Sequence, residues 1–407
     1  MSGETAKGPL AGLRVVELAH IMAGPVCGLM LADMGADVVK VERPEGDDSR
    51  RMVPPTIEGE SAAFMMMNRN KRGVALNLKS EDGRAALLAL LDRADIVIEN
   101  YRLGTMEKLE LGYDMLSARN PGLVQVEISG FGRTGPYAER AGFDLIAQGM
   151  GGLMSITGEG AGRPPVKVGA PVSDITAGIL AAMGALAAIQ ARRATGRGQR
   201  VDTSLFEAAI THTYWQSAIA FATGESPGPM GSAHPLNAPY QAFETADGWI
   251  NIGAANQRNW ERFAGLVGAE GLTADLRFAT NADRMANRAA LTEALNALMR
   301  ERTTAEWLAV MEEGGLPAGP VLSIREMHDN PQARARGVVT EVTHPVGGRV
   351  GTLGLPVAFH ETPGGIRRPA PRLGEHTREV LAEAGYDGSA IEAMLRAGAA
   401  IGMDETA

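Results

Sequence analysis

With one cysteine, Cys27, in 407 residues, the chain can form no internal disulfide and offers no paired-cysteine metal site. Cys27 sits in the apolar run Pro-Val-Cys-Gly-Leu-Met-Leu, which marks it as a small buried hydrophobe rather than a reactive thiol. Histidine is scarce too. Its seven copies are scattered singly, with no His-Glu-x-x-His pair, so no metal site is expected. Positive charge is in deficit: 39 Lys and Arg against 48 Asp and Glu leave a formal charge of −9, without the electrostatic footprint of a nucleic-acid binder. The most apolar stretch, residues 175–191, is rich in Ala and Gly, short for a bilayer and closed by Arg192 and Arg193. It predicts a buried core helix and no membrane span. The first residues show no hydrophobic secretory signal, and a cytoplasmic location is expected. No P-loop, internal repeat or low-complexity tract is present.

What the chain does have is a regular alternation. Short β-type runs at 13–18, 36–42, 73–78, 95–99 and 123–128 are separated by helical patterns, among them 26–34, 80–94 and 104–116. This spacing predicts an α/β fold with a parallel sheet and crossover helices. In such sheets ligands bind beyond the carboxyl ends of the strands, which directs attention to residues 20–25, Arg43 and Pro44, Asn100 to Arg102, and Ser129 to Gly132. Glu42 ends the second strand as a ribose-binding acid would, yet the first turn reads Ala-His-Ile-Met-Ala-Gly-Pro, without the glycines of a dinucleotide fingerprint. From about Gly224 a Gly/Pro-rich stretch leads to a hairpin turning at Asp247 and Gly248 and to helical patterns at 288–301 and 304–313. The expected division is a large Rossmann-like domain over 1–223, a smaller α/β domain over 224–335, and a C-terminal return over 336–407 ending in an amphipathic helix near 373–383.

Two features invite chemistry. Asp174 stands where the Gly/Pro segment 169–171 gives way to an Ala-rich helix. It reads either as an N-cap or as a nucleophile kept ionised by the unpaired N–H groups of a first helical turn. Residues 68–72, Asn-Arg-Asn-Lys-Arg, read either as a solvated basic face or as a site for a small phosphorylated ligand.

Taken in order, the runs at 9–18, Ala23-Gly-Pro, 35–44, 68–72, Glu99-Asn-Tyr, Gly130-Phe-Gly and Asp174 resemble the family III coenzyme A transferases, and the resemblance extends from residue 9 to the C-terminus. It implies a Rossmann-like large domain linked to a small domain, and a homodimer of interlocked chains. It also implies that Asp174 attacks an acyl-CoA thioester, giving an aspartyl anhydride and then an aspartyl-CoA thioester. By position, the CoA site would comprise Met22, Ala23, Arg43, Leu76, Lys79, Asn100, Tyr101, Arg102, Lys108, Ser129, Gly130, Phe131 and Gly132. Arg43 and Lys108 suit phosphates or adenine, and Asn100 an amide or base edge. CoA enters as substrate; no permanently bound cofactor is implied.

The chain departs from neighbouring branches. Formyl-CoA:oxalate transferases carry Gln in place of Met22, Lys in place of Ser129, and a glycine-rich loop not found near Gly253. Racemases of this fold carry a base histidine where Phe143 stands, and phenylalanine transfers no proton. The runs at 68–71, 149–158 and 231–243 are similar to the succinyl-CoA:dicarboxylate branch, in which a second carboxylate needs a partner. His234, Arg51 and Arg72 are candidates. An acyl-CoA racemase and a non-catalytic acyl-CoA-binding protein are the alternative readings.

Overall fold

The strands of the N-terminal half pair into one sheet in the computed structural model, which describes residues 8–403. The residues read for a secretory signal lie almost wholly outside that range. Across the sheet run Ala400–Ile401, Lys71–Leu76, Asp37–Glu42, Arg14–Glu17, Ile96–Glu99, Val124–Ser129 and Arg200–Ser204. All neighbours are parallel except Ala400–Ile401, which closes the edge antiparallel to Lys71–Leu76. The inner strands Asp37–Glu42, Arg14–Glu17, Ile96–Glu99 and Val124–Ser129 are buried almost throughout and Val- and Ile-rich, as parallel strands covered on both faces must be, while the edge strand Arg200–Ser204 is partly exposed. The six parallel strands have the Rossmann order 3-2-1-4-5-6. The order reverses between Arg14–Glu17 and Ile96–Glu99, leaving a crevice at their carboxyl ends.

Helix Ala23–Asp33 packs on the sheet at very short range because glycine faces it. A Cβ on Gly24 would stand 2.1 Å from Ala19 Cβ, and one on Gly28 1.8 Å from Glu17 Oε2. Helix Val172–Thr195 lies against Ala23–Asp33 in turn, and Gly178 marks the contact: a Cβ there would meet Ala23 O at 2.6 Å. Of the described helices only Val172–Thr195 is long and apolar enough to cross a membrane, and it buries Ala177, Ala181, Ala185 and Ala188 along one face inside the protein. Cys27 is fully buried, and its thiol is pushed up by desolvation.

The basic cluster at 68–72 is internal, which overturns both readings made from sequence. Fully buried Lys71 meets Glu17 Oε2 at 2.8 Å, and fully buried Lys40 meets Glu17 Oε1 at 3.1 Å and Asp47 Oδ2 at 2.8 Å. Arg69 pairs with Asp33, and Arg72 with Asp37, Glu379 and Glu383. Lysines in such a place need carboxylate partners, and these come from elements distant in the chain.

Two further differences are local. The helix expected over 104–116 is two, Thr105–Lys108 and Tyr113–Arg119, because Glu110 takes a left-handed φ of 58° between them. The tail helix is Thr377–Glu383, followed by Gly388–Arg396 and the edge strand Ala400–Ile401, neither of which was read from sequence.

The chain divides into two compact units. One comprises the residues up to Gly151, Val168–His212 and those from Pro331 onward; the other comprises Gly152–Lys167 and Thr213–Asn330. Residues 152–167 and 213–223 thus group with the smaller unit: Gly231 N–H donates to Gly158 O at 2.8 Å, and Trp215 sets its edge to His234. In that unit Tyr240–Glu244, Trp249–Gly253 and Ala318–Pro320 form an antiparallel sheet, the first two joined by the expected Asp247-Gly248 turn. Trp260, Phe263, Leu291, Leu295 and Trp307 fill its core.

Candidate active site

At the strand-order reversal the ends of two strands are sewn together. His20 N–H donates to Asn100 Oδ1 at 3.0 Å, and Asn100 Nδ2 donates to His20 O at 2.8 Å. The next residue, Ile21, is β-branched yet holds φ at 67°, a strained conformation for such a side chain. Asp47 Oδ1 accepts its N–H at 3.1 Å. Burial works against the Asp47 charge, but Lys40 and the backbone N–H donors outweigh it and hold the carboxyl well below its usual range. Strain at Ile21 is thus maintained by an anchored anion on a neighbouring loop.

Two cavities open here. One of about 350 Å³ is lined by Asn100, Tyr101, Arg102, Ser129, Gly130 and the segment 138–143. The other, about 240 Å³, is lined by Arg43, Asp47 and the strand ends around them. His20 and Tyr101 belong to both. Arg43 is half exposed, donating to Gly46 O at 3.0 Å and pairing with Asp48. Arg102 is exposed, with no ion pair among the described residues. The two loops of the larger cavity touch through glycine: a Cβ on Gly130 would meet Gly142 Cα at 2.6 Å. His20 belongs to the 20–25 segment expected to meet a ligand after the first strand, whereas 138–142 carried no signal in the sequence and Phe143 was noted only for standing where racemases carry a histidine.

The remaining candidates are distributed unevenly. Met22 occupies the N-cap position and Ala23 the first turn of helix Ala23–Asp33. Gly132, at φ 90°, closes a turn by donating its N–H to Ser129 Oγ at 2.9 Å, and Phe131 packs on Tyr137 and Phe206. Leu76, Lys79 and Lys108 line neither cavity. Leu76 is fully buried in the core, while Lys79 and Lys108 are exposed. Arg72 is consumed by its three carboxylates, and Arg51 pairs with Asp48.

Asp174 is not a cap. The N-cap position is Pro171, and Asp174 is the third residue of helix Val172–Thr195. Capping comes from elsewhere: Asp144 Oδ1 accepts Ser173 N–H at 2.9 Å, and Asp144 Oδ2 accepts from buried Gln148 at 2.7 Å. Gln148 Oε1 in turn accepts Val168 N–H at 2.9 Å. The segment leading to Asp174 is therefore pinned by one residue pair, and Asp144 directly follows the wall of the larger cavity. The Asp174 carboxylate has no hydrogen bond or ion pair among the described residues. Burial, reinforced by the negative charge of Asp144, pushes its pKa up to about 6.

Asp174 itself lines neither cavity, but an unpaired, desolvated carboxylate suits attack on an acyl group. The family model for CoA-transferase family III matches residues 10–377. The chain is a family III CoA-transferase. It is 39% identical over 384 residues to succinate–glutarate CoA-transferase of Agrobacterium fabrum, with 93% of this chain and 96% of that one covered. Over 398 residues it is 42% identical to succinyl-CoA:mesaconate CoA-transferase of Haloarcula marismortui, covering 93% and 97%. A crystal structure of a CaiB/BaiF family protein from Brucella suis matches with a TM-score of 0.84 at 41% identity, covering 93% of this chain and all of that one. CoA thioesters are thus the substrates of this enzyme class, and the non-catalytic alternative falls.

Proposed function

We propose that the transferase moves CoA from an acyl-CoA donor, succinyl-CoA foremost, to a short dicarboxylic acid through covalent intermediates on Asp174. The observation that carries this is the Asp174 carboxylate itself: unpartnered, ionising near pH 6, and fixed in a first helical turn by Asp144 and Gln148. At neutral pH it is still largely charged, and it is more basic than an ordinary aspartate. A carboxylate oxygen attacks the thioester carbon and CoA thiolate leaves, giving an anhydride. The thiolate then attacks the Asp174 carbonyl, the donor acid departs, and an aspartyl-CoA thioester remains for the acceptor to resolve by the reverse steps. Each exchange conserves the acyl energy provided water is excluded.

The two cavities that meet at His20 and Tyr101 take the CoA, with Arg43, Asn100, Arg102, Ser129 and Gly130 on their walls. Met22, Ala23, Leu76, Lys79, Lys108, Phe131 and Gly132 complete the proposed set. The relatives named for glutarate and mesaconate support a diacid acceptor. His234 is assigned to its second carboxylate. Leu236 N–H donates to His234 Nδ1 at 3.1 Å, which places the neutral ring's proton on Nε2, and Tyr240 stacks on the ring at 5.1 Å.

A second copy of the chain completes the enzyme in this reading. Phe143, Leu145, Ile146, Met150, Ile179 and Met183 expose apolar surface on helices Asp144–Met150 and Val172–Thr195 and just before the former, the kind of patch an interlocked dimer covers. The location proposed is cytoplasmic, with no permanently bound cofactor.

The test is a transfer screen: succinyl-CoA with a panel of mono- and dicarboxylic acids, new acyl-CoA species read by mass spectrometry, and the peptide bearing Asp174 searched for the mass of bound CoA. A diacid product together with CoA on Asp174 is expected. Turnover by Asp174→Ala would sink the covalent route.

A further inference from the structure

Arg133 follows the Gly130–Gly132 turn, and only 6% of its side chain is exposed. Its guanidinium lies between Glu99 and Glu127, which stand side by side in register at the carboxyl ends of neighbouring parallel strands. Nε is 2.9 Å from Glu127 Oε2, Nη2 bonds Glu99 Oε1, and Nη1 donates to Tyr101 O at 3.0 Å. Glu99 Oε2 accepts the Tyr101 N–H at 2.6 Å. Both peptide groups of Tyr101 are therefore held by one ion pair, the N–H by Glu99 and the carbonyl by Arg133. Tyr101 is one of the two residues shared by both cavities. Through its own backbone Arg133 is continuous with the turn that supplies Ser129 and Gly130 to the opposite wall, and its N–H is tied to Asp202 Oδ1 at 3.2 Å.

We propose that Arg133 is a positioning residue for CoA: it locks the Asn100–Arg102 loop to the Ser129–Gly132 turn, so that the cavity is pre-shaped before CoA arrives. The inference rests on the proposal that these cavities take CoA. A purely structural role would show itself differently, because the fold has a substitute for half of the pair. Arg200 also meets Glu127, at 2.8 Å, so Glu127 keeps a cation if Arg133 is lost. Glu99 has no second cation among the described residues. Burial pushes its carboxyl up to about 7 against the opposing pull of Arg133, so losing the arginine favours its neutral form. Removing Arg133 therefore leaves no unpaired buried charge, while Tyr101 loses one of its two tethers. A preformed cleft gains affinity by avoiding the ordering of its walls at the moment of binding.

The experiment is titration calorimetry with coenzyme A on the full chain, alongside kinetics with succinyl-CoA and glutarate and urea unfolding, for wild type, Arg133→Gln and Arg133→Lys. Arg133→Gln is expected to raise the Kd for CoA and the KM for the donor by about tenfold, the equivalent of one lost hydrogen bond to a charged group. Its kcat at saturation should stay near wild type, because Asp174 and its clamp are untouched. Lysine keeps the charge but not the planar fork, and should fall between the two. An unchanged Kd in a folded Arg133→Gln protein, or a fall in kcat at unchanged Kd, overturns the proposal alone. If Arg133→Gln does not fold, Arg133→Lys decides by the same criterion. Failure of the wild type to bind CoA would overturn the site assignment and this inference together.

Discussion

Replacing Asp174 by asparagine should abolish transfer and at the same time make the protein more stable. The carboxyl ionises near 3.8 in an unfolded chain and near 6 in the fold, because burial and Asp144 both oppose its charge. A raised carboxylate pKa means that the native state holds a proton the unfolded state has released. The resulting destabilisation is absent below about pH 4, grows as pH rises, and is complete above about pH 6. At pH 8 the full difference corresponds to about 3 kcal/mol, and at pH 5 to roughly half of that. Partial solvent access to the Asp174 side chain reduces the pH 8 figure to about 1–3 kcal/mol. Asparagine is nearly isosteric and carries no charge, so it removes the penalty without opening a cavity. The assay is urea unfolding of wild type and Asp174→Asn at equal protein concentration, at pH 5 and pH 8, with circular dichroism as the readout. The variant should unfold at higher urea, with a larger margin at pH 8. A variant no more stable than wild type at pH 8, or a margin that does not shrink towards pH 5, would refute the claim that Asp174 is a desolvated, strained carboxylate.

Three other outcomes follow from the same geometry. The acid limb of kcat/KM should lie near pH 6, and Asp144→Asn, which removes the neighbouring charge but can still accept the Ser173 N–H, should move it to lower pH; an unmoved limb in a pH–rate profile would mean that Asp144 does not tune the nucleophile. Gly28→Ala would drive a Cβ into the Glu17 carboxylate that pairs with the buried Lys40 and Lys71, and should destabilise by about 1–3 kcal/mol, read as a drop in urea midpoint or loss of soluble protein. Gly178→Ala should push the nucleophile helix away from helix Ala23–Asp33 and lose about 1–3 kcal/mol of stability together with activity; a stable and fully active variant would show that this close approach is dispensable.

Periodicity and punctuation determined a good deal without any coordinates. Apolar β-type runs alternating with helical patterns dictate a parallel sheet, because strands buried on both faces have no alternative composition and need crossovers. The place of Asp174 at the entry to an Ala-rich helix was equally legible, since helix starts are local events. What the sequence could not decide was who meets whom. Lys71 and Arg72 looked like surface cations, yet their partners Glu17, Asp37 and Glu379 arrive from other strands and from a helix some three hundred positions away. Local sequence left Asp174 open between cap and nucleophile, and the fold gives the capping task to Asp144, thirty residues earlier. The cavity wall at 138–143 and the grip of Arg133 on Tyr101 have no local signature at all, because a loop has no period and an ion pair no spacing. Only the sheet, by setting Glu99 beside Glu127 and the first strand beside the fourth, brings these groups within reach of one another.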